Sequence, residues 1–123
     1  MRLDDARYFN LATFRKSGAA VETPVWFAPS GNAYYVFSAG GAGKVKRLKN
    51  GNRARVAPCD GRGRVLGEWH AATARIVTDR AEIERAYVAL RGRYGMLMAL
   101  TDFLAKLTGR YDKRALIAVE LVR

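Results

Sequence analysis

The first half of the chain alternates short runs of β-branched and aromatic residues with turn residues. The runs occupy residues 8–15, 21–28 and 33–38, and the turns lie at residues 16–18 and 29–32. Runs of this length and composition predict strands, and the short first turn predicts a hairpin. Because Pro24 has no backbone N–H to donate, the second strand is expected at a sheet edge or at a bulge.

After Ser38 the pattern changes to glycines and then to bases. Gly40, Gly41 and Gly43 predict a turn, and residues 44–50 predict a short helix that ends at Asn50-Gly51. Strands are predicted again on the far side of this helix. They cover residues 53–60 and 67–78, with a hairpin loop at residues 61–64.

The last third of the chain has helical spacing. Asp79 and Glu82 form a capping pair, and Ile83, Tyr87, Leu90 and Tyr94 recur on one face, which predicts a helix to about Arg93. Gly95 interrupts the pattern, and a leucine stripe predicts a second helix that ends near Gly109. The stripe contains Leu97, Leu100, Leu104 and Leu107, and it favours a core or a dimer contact over a cofactor contact.

A final strand is predicted at residues 115–122, which brings the count to about six. Short connections between most strands and a return strand near the end favour a small antiparallel barrel with helical additions. The 123 residues fit one domain, residues 1–123. No internal repeat or linker divides them.

The positive charge is concentrated in one segment. The formal net charge is +11, and residues 41–64 contain eight Lys or Arg residues against one acid, Asp60. This distribution favours a local anion site, with a solvated basic face as the alternative. No aromatic residue lies between Phe37 and Trp69, so the basic segment lacks the stacking rings typical of single-strand nucleic-acid binders.

Several other classes of function lack their signatures. The acids near the start and the single Cys59 favour a reducing cytoplasm, and no apolar run is long enough to span a membrane. One His and one Cys provide no metal cluster and no catalytic triad. His70 and Cys59 are therefore interpreted as ordinary strand residues.

An anion cradle is the chemistry that the sequence suggests most clearly. It spans residues 38–48, where glycines allow close approach of a ligand and Lys44 and Arg47 follow at the start of the predicted helix. The segment is not a phosphate-binding loop of the NTPase type, because Ser38 and Val45 replace the required Gly and Ser/Thr. A flexible turn before a solvated basic helix is the alternative.

A family resemblance rests on five segments taken together: Leu11-Ala12-Thr13-Phe14-Arg15, Thr23-Pro24-Val25-Trp26-Phe27, Gly43-Lys44-Val45-Lys46-Arg47-Leu48, Arg53-Ala54-Arg55-Val56-Ala57-Pro58-Cys59-Asp60 and Ala72-Thr73-Ala74-Arg75. In order and spacing they resemble the pyridoxamine 5′-phosphate oxidase-like, FMN-binding split-barrel superfamily. They are most similar to its branch of small deazaflavin (coenzyme F-420)-dependent oxidoreductases. The resemblance covers nearly the whole chain.

The resemblance implies a six-stranded antiparallel Greek-key split barrel that forms a homodimer with a flavin or deazaflavin at the subunit interface. The residues that it assigns to cofactor binding are Glu22, Thr23, Pro24, Val25, Trp26, Phe37, Ser38, Lys44, Lys46 and Arg47. The first five would lie along the ring, the next two near the ribityl chain and phosphate, and the three bases would neutralise the phosphate. Thr13 and Trp69 are weaker candidates for lining the pocket.

The function implied is hydride transfer between FMN or F-420 and an unidentified small molecule. The bases Lys46, Lys49, Arg53 and Arg55 suit the acidic tail of F-420, and FMN would use fewer of them. The resemblance to true pyridoxamine phosphate oxidases is incomplete, because those enzymes carry additional basic residues and a C-terminal segment for the substrate phosphate. This chain ends directly after its last predicted strand, so vitamin B6 oxidation is not expected. The alternatives are a flavin- or deazaflavin-binding protein without turnover and a basic nucleic-acid-binding barrel.

Overall fold

The structure is a computed structural model that describes residues 1–39, 43–49, 51–107 and 114–122. The chain in these ranges forms seven strands and three α-helices. The strands are β1 (Tyr8–Phe14), β2 (Ala20–Trp26), β3 (Ala28–Ser30), β4 (Ala33–Ala39), β5 (Arg53–Cys59), β6 (His70–Ile76) and β7 (Arg114–Leu121). The helices are α1 (Gly43–Leu48), α2 (Arg80–Tyr94) and α3 (Met96–Leu107).

All seven strands belong to one antiparallel sheet in the order β2-β1-β5-β6-β7-β4-β3. The two outermost strands, β2 and β3, are joined by a single residue, Phe27. A sheet whose opposite edges are one residue apart in the chain must curl until those edges meet. The architecture is therefore the curled, mainly antiparallel barrel that the sequence predicted.

The prediction of one strand over residues 21–28 was wrong in detail, and this accounts for the seventh strand. The chain leaves the ladder at Phe27, which is fully buried. The Tyr94 hydroxyl accepts a hydrogen bond from the Phe27 N–H at 2.8 Å and lies 2.7 Å from the Phe27 carbonyl oxygen, to which it can donate. A side chain from α2 thus replaces the strand partners at the point where β2 ends.

Two apolar cores lie on opposite faces of the sheet. The barrel interior contains Phe9, Val36 and Ile117, together with Val45 and Leu48 of α1. The second core lies under α2 and α3. It contains Tyr35, Ala86, Leu90, Tyr94 and Met98.

Most other strand and helix predictions agree with the structure. Pro24 lies in an edge strand, as expected. The Asp79 carboxylate caps α2 by accepting a hydrogen bond from the Glu82 N–H at 2.9 Å. Two boundaries differ at the strand starts and turns: Pro29 and Ser30 belong to β3 rather than to the turn, and β6 begins at His70 rather than at residue 67. Residues 40, 41, 50 and 109 lie outside the described residues.

Helix α3 presents its leucine stripe to solvent. Leu97, Leu100, Leu104 and Leu107 are between 48% and 72% exposed, so they do not form core within this chain. The alternative of a dimer contact stays a prediction. The inward side of α3 is fixed by Asp102, whose carboxylate lies 2.6 Å from Arg114 Nη1 and 3.3 Å from Arg91 Nε. Burial of this ionic group holds the helix with its apolar face outward.

Candidate functional site

Helix α1 carries the two bases that the sequence analysis placed in the anion cradle. Val45 and Leu48 are buried in the barrel interior, and this packing fixes the orientation of the helix. Lys44 and Arg47 are consequently partly buried, while Lys46 and Lys49 are exposed. The structure brings Lys44 and Arg47 close enough to repel each other electrostatically.

Lys44 is a cation without a carboxylate partner among the described residues. Burial, and to a smaller extent the charge of Arg47, lower the pKa of its amino group. A desolvated, unpaired cation is unfavourable unless an anion neutralises it. Lys44 therefore has the environment of a group that binds an anionic ligand.

Arg47 is held in a defined position by a hydrogen bond. Its Nε donates to Oγ1 of the fully buried Thr13 at 2.6 Å. The guanidinium also lies over Gly43, where a Cβ atom would be 2.7 Å from Arg47 Nη1. Burial and then the charge of Arg15 lower the pKa of Arg47. Thr13, a weaker candidate from the sequence, thus positions a base of the cradle.

A basic cleft of about 310 Å³ opens beside Arg47. Its lining comes from the β1–β2 turn and from the connection between α1 and β5: Phe14, Arg15, Lys16, Arg47, Gly51, Asn52 and Arg53. Four of these side chains are cationic and none is acidic. Sequence reasoning missed Arg15 and Lys16. Both residues lie in a hairpin turn opposite a basic helix. The sequence could have indicated this position only if the pairing of β1 with β5 had been known.

The aromatic candidates lie on the other face of the sheet. The Trp26 and Phe37 rings are in edge contact at 6.1 Å, and Trp26 stacks on Tyr94 at 4.7 Å. Both rings pack against the core beneath α2, whereas Val45 and Leu48 of α1 pack inside the barrel. The structure therefore brings Trp26 together with Phe37, and Lys44 together with Arg47, but places the two groups on different faces.

The remaining candidates belong to β2 and to the end of β4. In β2, Glu22 is exposed, Thr23 and Pro24 are partly buried, and Val25 is buried in the barrel interior. This strand pairs only with β1 among the described strands, so its outer edge offers backbone donors and acceptors to a ligand. Ser38 is buried near the end of β4, just before the segment that leads to α1.

His70 and Cys59 are strand-end residues. His70 is the first residue of β6, and Cys59 is the last residue of β5 and is buried. Burial, and then the charge of Asp60, raise the pKa of the Cys59 thiol to about 11, so the thiol is protonated at neutral pH. No three His, Cys, Asp or Glu side chains of the described residues are grouped as metal ligands.

A family model described as pyridoxamine 5′-phosphate oxidase matches residues 2–122. The chain belongs to this family. The match confirms the resemblance inferred from the motifs. None of the curated protein sequences matches this chain. Among the helices in the described ranges, none combines the length and the apolar composition of a membrane-spanning helix.

Solved structures share the fold at low sequence identity. A conserved hypothetical protein, Rv2991 from Mycobacterium tuberculosis, aligns with a TM-score of 0.71 and 19% identity over 98% of this chain and 76% of its own. The heme storage protein HutZ from Vibrio cholerae gives 0.72 and 16% over 100% and 92%. An F420 reductase gives 0.62 and 16% over 98% and 90%. At these identities the similarity shows the fold alone.

Proposed function

We propose that this chain is an oxidoreductase that binds FMN or coenzyme F-420 and transfers a hydride between that cofactor and a small molecule. The observation that carries the proposal is Lys44, a partly buried cation beside Arg47 with no carboxylate partner among the described residues. Family membership and the structural similarity to an F420 reductase support it.

The residues of the site have complementary roles in this proposal. Lys44 and Arg47 bind the cofactor phosphate by charge-assisted hydrogen bonds, with Thr13 keeping Arg47 in place. The unpaired edge of β2, from Glu22 to Trp26, contributes backbone contacts to the ring, and Ser38 lies near the phosphate. The cofactor supplies the hydride chemistry, so no protein nucleophile is required.

The basic cleft favours F-420 over FMN. A single phosphate is neutralised by Lys44 and Arg47, which leaves Arg15, Lys16 and Arg53 without a role. F-420 carries an acidic oligoglutamate tail, and a cleft lined by cations without an acid is complementary to carboxylates. We therefore propose that the tail lies in the cleft.

A side-by-side titration of the purified protein with FMN and with F-420 tests the proposal through cofactor fluorescence. We expect saturable binding of about one F-420 per chain, with weaker binding of FMN. The proposal is wrong if neither cofactor binds with a Kd below about 100 μM, which corresponds to about −5.5 kcal/mol.

The same sample separates the two alternatives. A nucleic-acid-binding barrel would bind a DNA duplex, and its binding constant would fall steeply as the salt concentration rises. A plot of the logarithm of the binding constant against the logarithm of the salt concentration would have a slope of several negative units, because several phosphates would be contacted. A cofactor-binding protein without turnover would bind F-420 but leave the reduced form unoxidised by quinone and nitroaromatic acceptors. We expect neither result.

Two further proposals concern the state of the protein. We propose a homodimer with the cofactor at the subunit interface, supported by the exposed leucine stripe of α3. We also propose a cytoplasmic location, supported by the single cysteine, Cys59, which is buried and unpaired.

A further inference from the structure

A row of alternating cations and aromatic rings lies on the outer face of β1 and β5. Ala54 and Val56 of β5 are buried in the barrel interior, so Arg53 and Arg55 project to the opposite face. The guanidinium carbon of Arg53 lies 4.0 Å from the centre of the Phe14 ring. That of Arg55 lies 5.8 Å from Phe14 and 5.0 Å from Trp69. We call Arg53, Phe14, Arg55 and Trp69 the cation–aromatic row.

Arg55 has an unsatisfied hydrogen-bond donor. Its Nε is buried and has no hydrogen-bond partner among the residues that the structure describes. No carboxylate among the described residues forms an ion pair with either Arg53 or Arg55. Buried donors are nearly always paired, and an exception requires an explanation such as a missing ligand.

Trp69 is held beside Arg55 by the chain on both sides of it. A Cβ atom at Gly67 would lie 2.5 Å from the Met1 carbonyl oxygen and 2.6 Å from Pro58, so only glycine allows this close packing. On the other side of Trp69, His70 is the first residue of β6, and it pairs with Val56 of β5. The indole ring is therefore placed next to the guanidinium by backbone packing as well as by its own contact.

The chemistry of the row selects its ligand. Rings next to Arg55 leave the in-plane N–H groups as its donors, and these match the two oxygens of a carboxylate. The neighbouring rings offer stacking or edge contacts to a planar group attached to that carboxylate. Because Nε is buried, a neighbouring side chain would have to shift for an acceptor to reach it, as side chains commonly do on ligand binding, and Trp69 is partly exposed.

We propose that the cation–aromatic row is a binding site for the carboxylate of a small, ring-bearing acid, with Arg55 as the residue that determines specificity for the anion. The site is separate from the cofactor phosphate site, since Lys44 and Arg47 lie on α1 and Arg55 lies on the outer face of β5. Arg53 and Phe14 also line the basic cleft that we propose for the F-420 tail. Arg55, which the sequence had matched to that tail, and Trp69 do not line the cleft, so the Arg55 site itself does not depend on a flavin-type cofactor.

Benzoate is a suitable probe, with benzyl alcohol as its uncharged counterpart. A Trp26→Phe background leaves Trp69 as the only tryptophan, so its fluorescence reports directly on the row. The experiment titrates both probes into the protein and into two variants, Arg55→Leu and Arg85→Leu. Arg85 is exposed on α2 and provides the same loss of charge away from the row.

The expected result is saturable benzoate binding with a Kd of about 1 mM or tighter and no saturation with benzyl alcohol. Arg55→Leu should weaken benzoate binding at least tenfold, and Arg85→Leu should change it less than twofold. Equal binding by the two variants, equal binding of the two probes or no benzoate binding would each overturn the proposal.

Two controls keep the result interpretable. Arg55→Lys retains the charge but cannot donate two parallel hydrogen bonds, so we expect about fivefold weaker binding in a variant that folds normally. Unchanged binding in Arg55→Lys would contradict the bidentate role. A separate F-420 titration should give the same Kd for Arg55→Leu as for the parent protein; a parallel loss would mean that the row belongs to the cofactor site and would overturn the assignment.

Discussion

At the scale of single residues, Glu82 shows how buried charge organises this protein. Its carboxylate accepts hydrogen bonds from Tyr35 Oη at 2.7 Å and from Arg75 Nη1 and Nη2 at 2.9 and 2.6 Å. The hydrogen bonds from Arg75, and then from Tyr35, lower the pKa of Glu82 to about 2. The group stabilises the attachment of α2 to the sheet as long as it is ionised.

The pH dependence of stability follows from this shift. The folded-state pKa of Glu82, about 2, is below the ordinary value of 4.5, so the unfolded chain binds more protons between these values. The stabilisation is therefore complete above about pH 4.5 and is lost as the pH falls towards 2. We expect Glu82→Gln to lower the free energy of unfolding at pH 7 by about 2 kcal/mol.

Urea unfolding at several pH values measures this effect. The difference between the parent protein and Glu82→Gln should shrink as the pH falls from 5 to about 2. A difference that is constant over this range would show that the ionised carboxylate is not the source of the stabilisation.

At the scale of secondary-structure elements, the junction of β2 and β3 depends on α2. Phe27 is the single residue between β2 and β3, and the hydroxyl of Tyr94 is the hydrogen-bond partner of its backbone. Removing the hydroxyl leaves the buried Phe27 N–H without this acceptor. An unsatisfied donor at this position weakens the closure of the barrel.

Tyr94→Phe should therefore lower the free energy of unfolding by about 2 kcal/mol. Tyr8→Phe is the matched control, because Tyr8 is a partly exposed strand residue that loses the same atom. The urea midpoints of the two variants provide the measurement. If both variants unfold at the midpoint of the parent protein, the Tyr94 hydroxyl has no role in the junction.

The same junction shows what the sequence could and could not predict. Alternation and turn residues correctly indicated the strands, the cap at Asp79 and the edge position of Pro24, because these features depend on local chemistry. Residues 21–28 are strand formers throughout, so nothing local marks Phe27 as the point where the sheet turns. That turn depends on Tyr94, which is 67 residues away in sequence.

The candidate site was predictable to a similar extent. The basic segment, the glycines before the predicted helix and the family resemblance together indicated Lys44 and Arg47. Arg15 and the support of Arg47 by Thr13 depend on long-range packing of α1 against β1, which the sequence does not display. Arg55 and Trp69 meet only through the pairing of β5 with β6.

At the scale of the whole molecule, α3 points to self-association. Its exposed stripe cannot turn inward without removing Asp102 from Arg114, whose side chain is only 6% exposed. Such a separation would leave the buried charge of Arg114 without the Asp102 carboxylate, which is strongly unfavourable. A second copy of the chain is the partner that our proposed homodimer provides for this surface.

Light scattering after size-exclusion chromatography tests this arrangement. We expect the parent protein to have twice the mass of one chain, and Leu100→Ser combined with Phe103→Ser to shift it towards the monomer. Val88→Ser removes an apolar side chain that is 68% exposed on α2, and it should leave the dimer intact. A monomeric parent protein, or a double variant that remains fully dimeric, would show that α3 is not the contact.

We propose that Lys44 and Arg47 bind the phosphate of a flavin-type cofactor, and the dissociation constant of F-420 for Lys44→Ala tests this most directly. Losing a charge-assisted hydrogen bond costs about 2 kcal/mol, so binding of F-420 should weaken about 30-fold. Arg85→Ala, which removes an exposed base on α2, should stay within about threefold of the parent protein. Equal dissociation constants for the two variants, or undetectable binding in the parent protein, would contradict the account.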